Sequence, residues 1–253
     1  MKQILLSFFL FAGLGLLPAC ATPLVIPSQV SWHLQLDGRL QTPDRQLYDI
    51  DLYDTPQKTI GDLKAVGRIV ICYFSAGTWE DWRPDAAAYP TAALGAPLAD
   101  WPGERWLDIR RADVRALLSK RLDLAVSKGC NGVDPDNVDG YSNANGLQLS
   151  AADQVDFNRW LAREAHQRDL AVGLKNAVEL LPQLVDDFDF ALNESCYAYQ
   201  ECDGYRLFRQ QGKAVLIAEY RSYNSKMCGK AAASGYRLQF FKRSLKGVGT
   251  PCN

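Results

Sequence analysis

Eight short, largely apolar runs, each followed by a helical period or a long polar loop, constrain this chain more than any other feature. They are Ser31–Leu36, Tyr48–Leu52, Arg68–Phe74, Gly132–Val138, Ala171–Asn176, Phe188–Asn193, Ala214–Tyr220 and Tyr236–Phe241. Stretches such as Ile69-Val70-Ile71 and Val215-Leu216-Ile217 show no polar alternation, the pattern of strands covered on both faces in a parallel sheet. Between the runs, Val114, Leu117, Leu118, Arg121, Leu122 and Ala125 have the spacing of a buried helical stripe that stops near Gly129. Thr55-Pro56 offers a capping hydroxyl and a first-turn proline ahead of Ile60 and Leu63, with Gly67 as the stop. Ser150 and Asp153 have capping-box spacing ahead of Val155, Trp160, Leu161 and Ala165. The expected fold class is therefore α/β, a (β/α)8 TIM-like barrel forming a single domain over residues 31–253. The rival open doubly wound sheet is disfavoured because no Gly-rich dinucleotide turn follows any strand.

The N-terminus follows different rules. Lys2 precedes an apolar run from Ile4 to Leu17 that is too short to span a bilayer comfortably, so residues 1–19 are expected to be a signal peptide and residues 20–30 a short linker. Ala19-Cys20-Ala21 fits a small-x-small cleavage pattern, whereas Leu17-Pro18-Ala19-Cys20 resembles a bacterial lipobox with Cys20 as the acylated residue. Setting Cys20 aside, the remaining six of seven cysteines can all pair in an oxidising compartment, which favours the lipobox. The expected product is exported, either lipid-anchored through Cys20 in the cell envelope or extracellular, and monomeric. Local spacing makes Cys196–Cys202 and Cys228–Cys252 the expected bridges; Cys72 and Cys130 read as buried thiols, with a third bridge as the alternative. No metal site is expected, since there is no Cys-x-x-Cys and the two histidines are His33 and His166. A net charge of −1 excludes the basic signature of a nucleic-acid binder, so no nucleic-acid partner is expected.

In such a barrel the chemistry sits at the carboxyl ends of the strands. Those ends carry Gln35, then Asp51 and Asp54, then Tyr73 and Ser75, then Asp134-Pro135-Asp136-Asn137-Val138-Asp139, then Lys175-Asn176, Asn193-Glu194, Glu219-Tyr220 and Gln239. Clustered carboxylates repel one another and need compensation; salt bridges with Lys175 and Arg83 are the bland account. Two carboxyl groups from different strands are also what glycoside hydrolysis requires, one to protonate the departing oxygen and one to attack or to activate water. Asp136 and Glu194 fit as that pair, in either assignment. Tryptophans at Trp79, Trp82, Trp101 and Trp106 fall in apparent loops, where they could stack on sugar rings or clamp the loop to the rim. An acidic rim of Asp51, Asp54, Glu80, Asp81, Asp85, Asp136, Asp139, Glu194 and Glu219 would draw in a cationic glycan.

Five segments together resemble glycoside hydrolase family 114, the endo-α-1,4-polygalactosaminidases: Tyr48-Asp49-Ile50-Asp51-Leu52-Tyr53-Asp54, Val70-Ile71-Cys72-Tyr73-Phe74-Ser75-Ala76-Gly77, Asp136-Asn137-Val138-Asp139-Gly140-Tyr141, Gly173-Leu174-Lys175-Asn176 and Asn193-Glu194-Ser195-Cys196. The resemblance implies a TIM-like barrel that cuts α-1,4-linked galactosamine polymers internally without a cofactor. Carried over to this chain, the catalytic carboxyls are Asp136 and Glu194. The expected substrate-binding residues are Gln35, Asp51, Asp54, Tyr73, Ser75, Trp79, Trp82, Asp139, Lys175, Asn176, Glu219 and Tyr220. The chain departs from the family pattern at Asp134, where Glu is more usual, and at Ala177, where loss of an Asp would remove a charge from the rim. Two rivals are a non-catalytic glycan-binding lipoprotein, which needs no acid–base pair, and an aldolase using Lys175 as a Schiff-base nucleophile.

Overall fold

The computed structural model describes residues 24–252; the expected signal segment and Cys20 lie outside the described residues. All eight apolar runs form strands. These are β1 (Trp32–Gln35), β2 (Leu47–Asp51) and β3 (Ile69–Ser75), then, after an insertion, β7 (Gly132–Asp136), β8 (Ala171–Lys175), β9 (Phe190–Glu194), β10 (Ala214–Glu219) and β11 (Arg237–Phe240). They pair in that order, all parallel, with β12 (Thr250–Pro251) added antiparallel to β11. The sheet curls into a TIM-like barrel. Its seam between β1 and β11 is bridged by side chains: Trp32 Nε1 donates to the Arg237 carbonyl at 2.9 Å, Arg237 Nε donates to the Val30 carbonyl at 3.0 Å, and Gln239 Nε2 donates to the Trp32 carbonyl.

Alternation along each strand separates two apolar layers. Trp32, Leu34, Leu47, Ile71, Ala171, Phe190, Leu192, Leu216 and Ala218 fill the barrel interior. Val70, Cys72, Val133, Val172, Leu174, Ala191, Val215 and Ile217 face the helices. Glycines make the filling possible. A Cβ on Gly173 would stand 2.5 Å from the Phe190 ring, and one on Gly132 would stand 2.6 Å from the Ala171 carbonyl oxygen. The barrel floor is thus packed, largely by apolar side chains with Asp49 of β2 buried among them, and most interior polar side chains gather towards the carboxyl ends.

Helices α1 (Gln57–Ala65), α2 (Ala112–Lys128) and α3 (Ala151–His166) follow β2, the insertion and β7. Short helices α4 (Leu181–Leu184), α5 (Cys196–Tyr199) and α6 (Arg206–Gln210) follow β8 and β9, and α7 (Ser225–Ser234) follows β10. No helix follows β1 or β11 in the described residues. The α3 capping box is present, and α2 ends at Gly129 in the left-handed conformation. Helix α1 corrects the expectation: Pro56 is its N-cap and no side chain caps it, so the Thr55 hydroxyl is not used.

The segment expected to be a loop after β3 is a further antiparallel sheet of β4 (Thr78–Glu80), β5 (Leu94–Pro97) and β6 (Glu104–Leu107), ordered β4-β6-β5. Each strand is too short to announce itself locally, and the pairing is made across intervening loops. Cys72 and Cys130, read as buried thiols, form a disulfide, with Cα atoms 6.0 Å apart. Pairing of β3 with β7 sets Cys72 opposite Val133, close to Cys130 two residues before β7, a proximity hidden by a sequence separation of 58. Cys196–Cys202 and Cys228–Cys252 are bonded as expected. Three disulfides fit an exported protein, and no helix among the described residues is long and apolar enough to cross a membrane.

Because the Cys72–Cys130 loop is the longest of the three, its removal should cost most. A Cys72→Ala/Cys130→Ala double variant is expected to lose about 4 kcal/mol of stability, against about 2 kcal/mol for opening Cys196–Cys202. Chemical denaturation of the two double variants beside the wild type measures both losses.

Candidate active site

At the carboxyl rim, three neighbouring strands deliver the central charges. β7 supplies Asp134 and Asp136, β8 supplies Lys175 and β9 supplies Glu194. Lys175 is only 1 % exposed. Its Nζ lies 2.9 Å from Asp134 Oδ2, 3.7 Å from Asp136 Oδ1 and 3.9 Å from Glu194 Oε2. Burial opposes the charge on Lys175, but the surrounding carboxylates outweigh it and hold the amine protonated, well above the ordinary lysine range. That disposes of the Schiff-base reading, which needs a neutral amine open to substrate.

Asp136 and Glu194 line one cavity of about 530 Å³. Asp136 is gripped on both oxygens: the Tyr73 hydroxyl donates to Oδ2 at 2.9 Å, and the Asn137 backbone N–H donates to Oδ1 at 2.9 Å. The Tyr220 hydroxyl donates to Glu194 Oε1, and the Glu194 N–H donates to Asn176 Oδ1 at 2.9 Å. Burial, reinforced by the nearby carboxylates, raises both phenols above the ordinary tyrosine range, so they stay donors.

The backbone at these strand ends is unusual. Asn137, Asn176, Ala177 and Ser195 all have positive φ, at 61°, 47°, 51° and 71°. Such left-handed turns cost non-glycine residues free energy, and here they follow directly on β7, β8 and β9. Gly77 permits a close crossing: its N–H donates to the Asp136 carbonyl at 3.1 Å, and a Cβ there would fall 1.7 Å from the Asn137 carbonyl oxygen. Ala177, the departure from the family pattern, is buried just after Asn176.

The twelve residues expected to bind substrate separate into groups. Tyr73, Asp139, Asn176 and Tyr220 line the cavity with Asp136 and Glu194. Lys175 lies just beneath them. Ser75 is buried, sharing hydrogen bonds with Thr78 Oγ1 and Asn137 Nδ2, and Glu219 is buried accepting the Tyr197 N–H at 2.8 Å. Gln35, Asp51 and Asp54 line a second cavity of about 520 Å³. Gln35 ties down its own loop through the Asp37 and Arg39 carbonyls, and Asp51 forms a buried pair with Arg83 at 2.7 Å. Trp79 and Trp82 also lie away from the main cavity. Trp79 donates to the Ala86 carbonyl at 3.0 Å, the clamping role, while Trp82 is 51 % exposed. Trp101 and Trp106 are the tryptophans that line the cavity.

Much of the expected acidic rim is neutralised. Arg83 holds Asp51 and Glu80, and Arg121, from the α2 stripe, holds Asp85 at 2.8 Å. Glu104 on β6 was missed by sequence reasoning, because its segment reads as a loop. It lines the cavity, and the Thr78 hydroxyl donates to its Oε2 at 2.7 Å. Burial raises the Glu104 carboxyl to about 7, and burial together with Asp136 raises Asp139 to about 6.

The sequence matches the profile of glycoside-hydrolase family GH114 over residues 16–253. The chain belongs to this family and is a glycoside hydrolase. The crystal structure of Aspergillus fumigatus Ega3 in complex with galactosamine is 39 % identical, spans 93 % of this chain and all of its own (100 %), and superposes with a TM-score of 0.87. The glycoside hydrolase domain of PelA from Pseudomonas aeruginosa shares the fold at 17 % identity and a TM-score of 0.68, covering 87 % of this GH114 chain and 97 % of its own. An uncharacterized protein of Deinococcus radiodurans is 26 % identical over 274 residues, covering 90 % of this chain and 87 % of its own.

Two outcomes follow from the geometry of this GH114 site. Gly77→Ala should push the β7 end out of place and lower kcat by about 10²-fold, measured beside a melting curve. Glu104 and Asp139 bind protons more tightly folded than unfolded, so their stabilising contribution is complete below their unfolded values near 4 and fades as pH rises through about 6 and about 7. Melting temperatures from pH 4 to 8 should therefore fall more steeply for the wild type than for Glu104→Gln/Asp139→Asn.

Proposed function

We propose that this chain is an endo-acting hydrolase of internal α-1,4 linkages in a galactosamine-containing, cationic polysaccharide, with Asp136 and Glu194 as the paired carboxyl groups. One observation carries the reading: two carboxyls from β7 and β9 line a single cavity and flank one buried ammonium. The family membership and the likeness to a protein crystallised with galactosamine support the substrate class.

The geometry favours a division of labour. Asp136, fixed on both oxygens, suits attack at the anomeric carbon or stabilisation of the positive charge that develops there. Glu194 has the longer side chain and is steadied by the Tyr220 phenol, which suits proton delivery to the leaving oxygen. Lys175 supplies a fixed field between them. Tyr73, Asp139, Asn176 and Tyr220 act as substrate contacts, with Trp101 and Trp106 as apolar walls for sugar faces. Asp100, Glu104 and Asp139 add acidic character at the cavity edge for ammonium groups. Gln35, Asp51, Asp54, Ser75, Trp79, Trp82 and Glu219 serve the rim as supports in this scheme. We extend the proposal to location: the signal-like N-terminus and three disulfides support export, with acylation of Cys20 as the anchor.

Asp136→Asn and Glu194→Gln should each lower endo-cleavage of a deacetylated galactosamine polymer by roughly 10²–10⁴-fold, read as product size, while both proteins still retain the polymer on a column. Cleavage by the wild type should also slow as salt rises, because screening weakens attraction for a polycation. A non-catalytic glycan-binding lipoprotein would instead show no cleavage by the wild type and unchanged binding in both variants.

A further inference from the structure

Beneath the cavity, Asp49 on β2 is 0 % exposed, and among the described residues neither of its carboxyl oxygens has a hydrogen-bond partner. Its in-register neighbours Leu34 and Ile71 are apolar. Asp134 on β7 is equally buried: its Oδ2 accepts from Lys175 Nζ at 2.9 Å, but its Oδ1 is also unpartnered. The Asp49 carboxyl lies within hydrogen-bond reach of Asp134. As anions both groups are acceptors only, so neither can satisfy the other, and each dry, unpaired group is costly. A single proton between them removes the repulsion and gives Asp134 Oδ1 its missing donor.

Charge counting points the same way. Four carboxyls (Asp49, Asp134, Asp136 and Glu194) face the single ammonium of Lys175. The other titratable groups facing this cluster are Tyr73 from β3, which donates to Asp136, Tyr220 after β10, which donates to Glu194, and Asp139 after β7, which feels Asp136 and Glu194, while Asp51 further along β2 is already paired with Arg83. Asp49 is the member without a cationic or hydrogen-bonding partner, and burial followed by the facing Asp134 pushes it well above the ordinary carboxylate range.

We propose that Asp49 is a neutral carboxylic acid that donates a hydrogen bond to Asp134 and so acts as a positioning residue, keeping Asp134 anionic and Lys175 seated between Asp136 and Glu194. The kinetic half of this proposal rests on the reading of Asp136 and Glu194 given above; the protonation half does not. With Asp49 neutral, Asp134 and Lys175 cancel. If the donor is removed, Asp134 must take up the proton itself. Lys175 then loses its anionic partner and leaves one more positive charge under the reacting carboxyls. The group that delivers the proton would then give it up more readily.

Two variants and one spectrum test this. Asp49→Asn keeps a neutral donor, whereas Asp49→Leu removes it. The infrared difference spectrum of wild type minus Asp49→Asn at neutral pH should contain a carboxylic-acid C=O band. On the deacetylated galactosamine polymer, Asp49→Asn should keep kcat/KM within about 3-fold, with an unchanged pH profile. Asp49→Leu should shift the basic limb downward by about one to two pH units, the effect of a unit charge ~6 Å away at an effective dielectric of ~20. Absence of the band overturns the proposal. So does loss of fold or activity in Asp49→Asn, which would mean that an ionised Asp49 is required, and so does a wild-type pH profile in Asp49→Leu. If Asp49→Leu does not fold, the band and Asp49→Asn decide. If the wild type leaves the polymer uncut, the functional reading fails while the band still tests the proton.

Discussion

A primary ammonium buried inside a β-barrel is costly unless anions surround it, and the acidic end of this barrel is organised around that requirement. Lys175 sits at the last inward position of β8, between strands whose own last inward positions are Asp136 and Glu194. Removing a charge of this kind from water costs several kcal/mol, and removing one partner of a buried pair typically costs about 3–5 kcal/mol. Asp134 supplies the contact at hydrogen-bond distance, leaving Asp136 and Glu194 at 3.7 and 3.9 Å, influenced by the ammonium without being bound to it. Those two carboxyls therefore remain open to the cavity, within reach of the ammonium's field but not tied to it.

The rest of the rim keeps this centre in place and separates it from other charges. The buried network of Arg83 and Arg121 with Asp51, Glu80 and Asp85 binds the β2 and β3 side to α2 and to the inserted sheet. Arg121 also donates to the Ser75 carbonyl at 2.7 Å, fixing the end of β3 beside Asp136. Acids that would otherwise add to the field at the cavity are thus used structurally. The cavity keeps Asp139 and Glu104, whose burial shifts their titration towards neutrality. On the opposite side, the seam between β1 and β11 is joined by side-chain hydrogen bonds, so Trp32, Arg237 and Gln239 do work that ladder hydrogen bonds perform elsewhere in the sheet.

Several features of the site were legible in the linear chain for identifiable reasons. Strand ends in an α/β barrel share one rim, so a polar residue ending an apolar run is automatically a candidate, and Tyr73, Asp136, Asn176, Glu194 and Tyr220 all followed from that rule. The same rule also selected Gln35 and Glu219, because it cannot tell an inward-facing residue from an outward-facing one when a run may end one position earlier or later. Glu104 and the Cys72–Cys130 bridge were hidden for a different reason. Both depend on pairings between segments far apart in sequence: β4 with β6 in the first case, β3 with β7 in the second.

By itself the sequence determined the eight parallel strands of the barrel, the helix stripes and the short-range disulfides, since each is written in local periodicity, caps and spacing. Only the tertiary structure decided which carboxyls are neutralised and which are left facing the cavity. Asp51 and Asp136 both close apolar strands with an acid, and nothing local distinguishes them. What separates them is which cation lies within 3 Å, Arg83 for one and none for the other, and electrostatic compensation over such distances is set by how the chain folds back on itself.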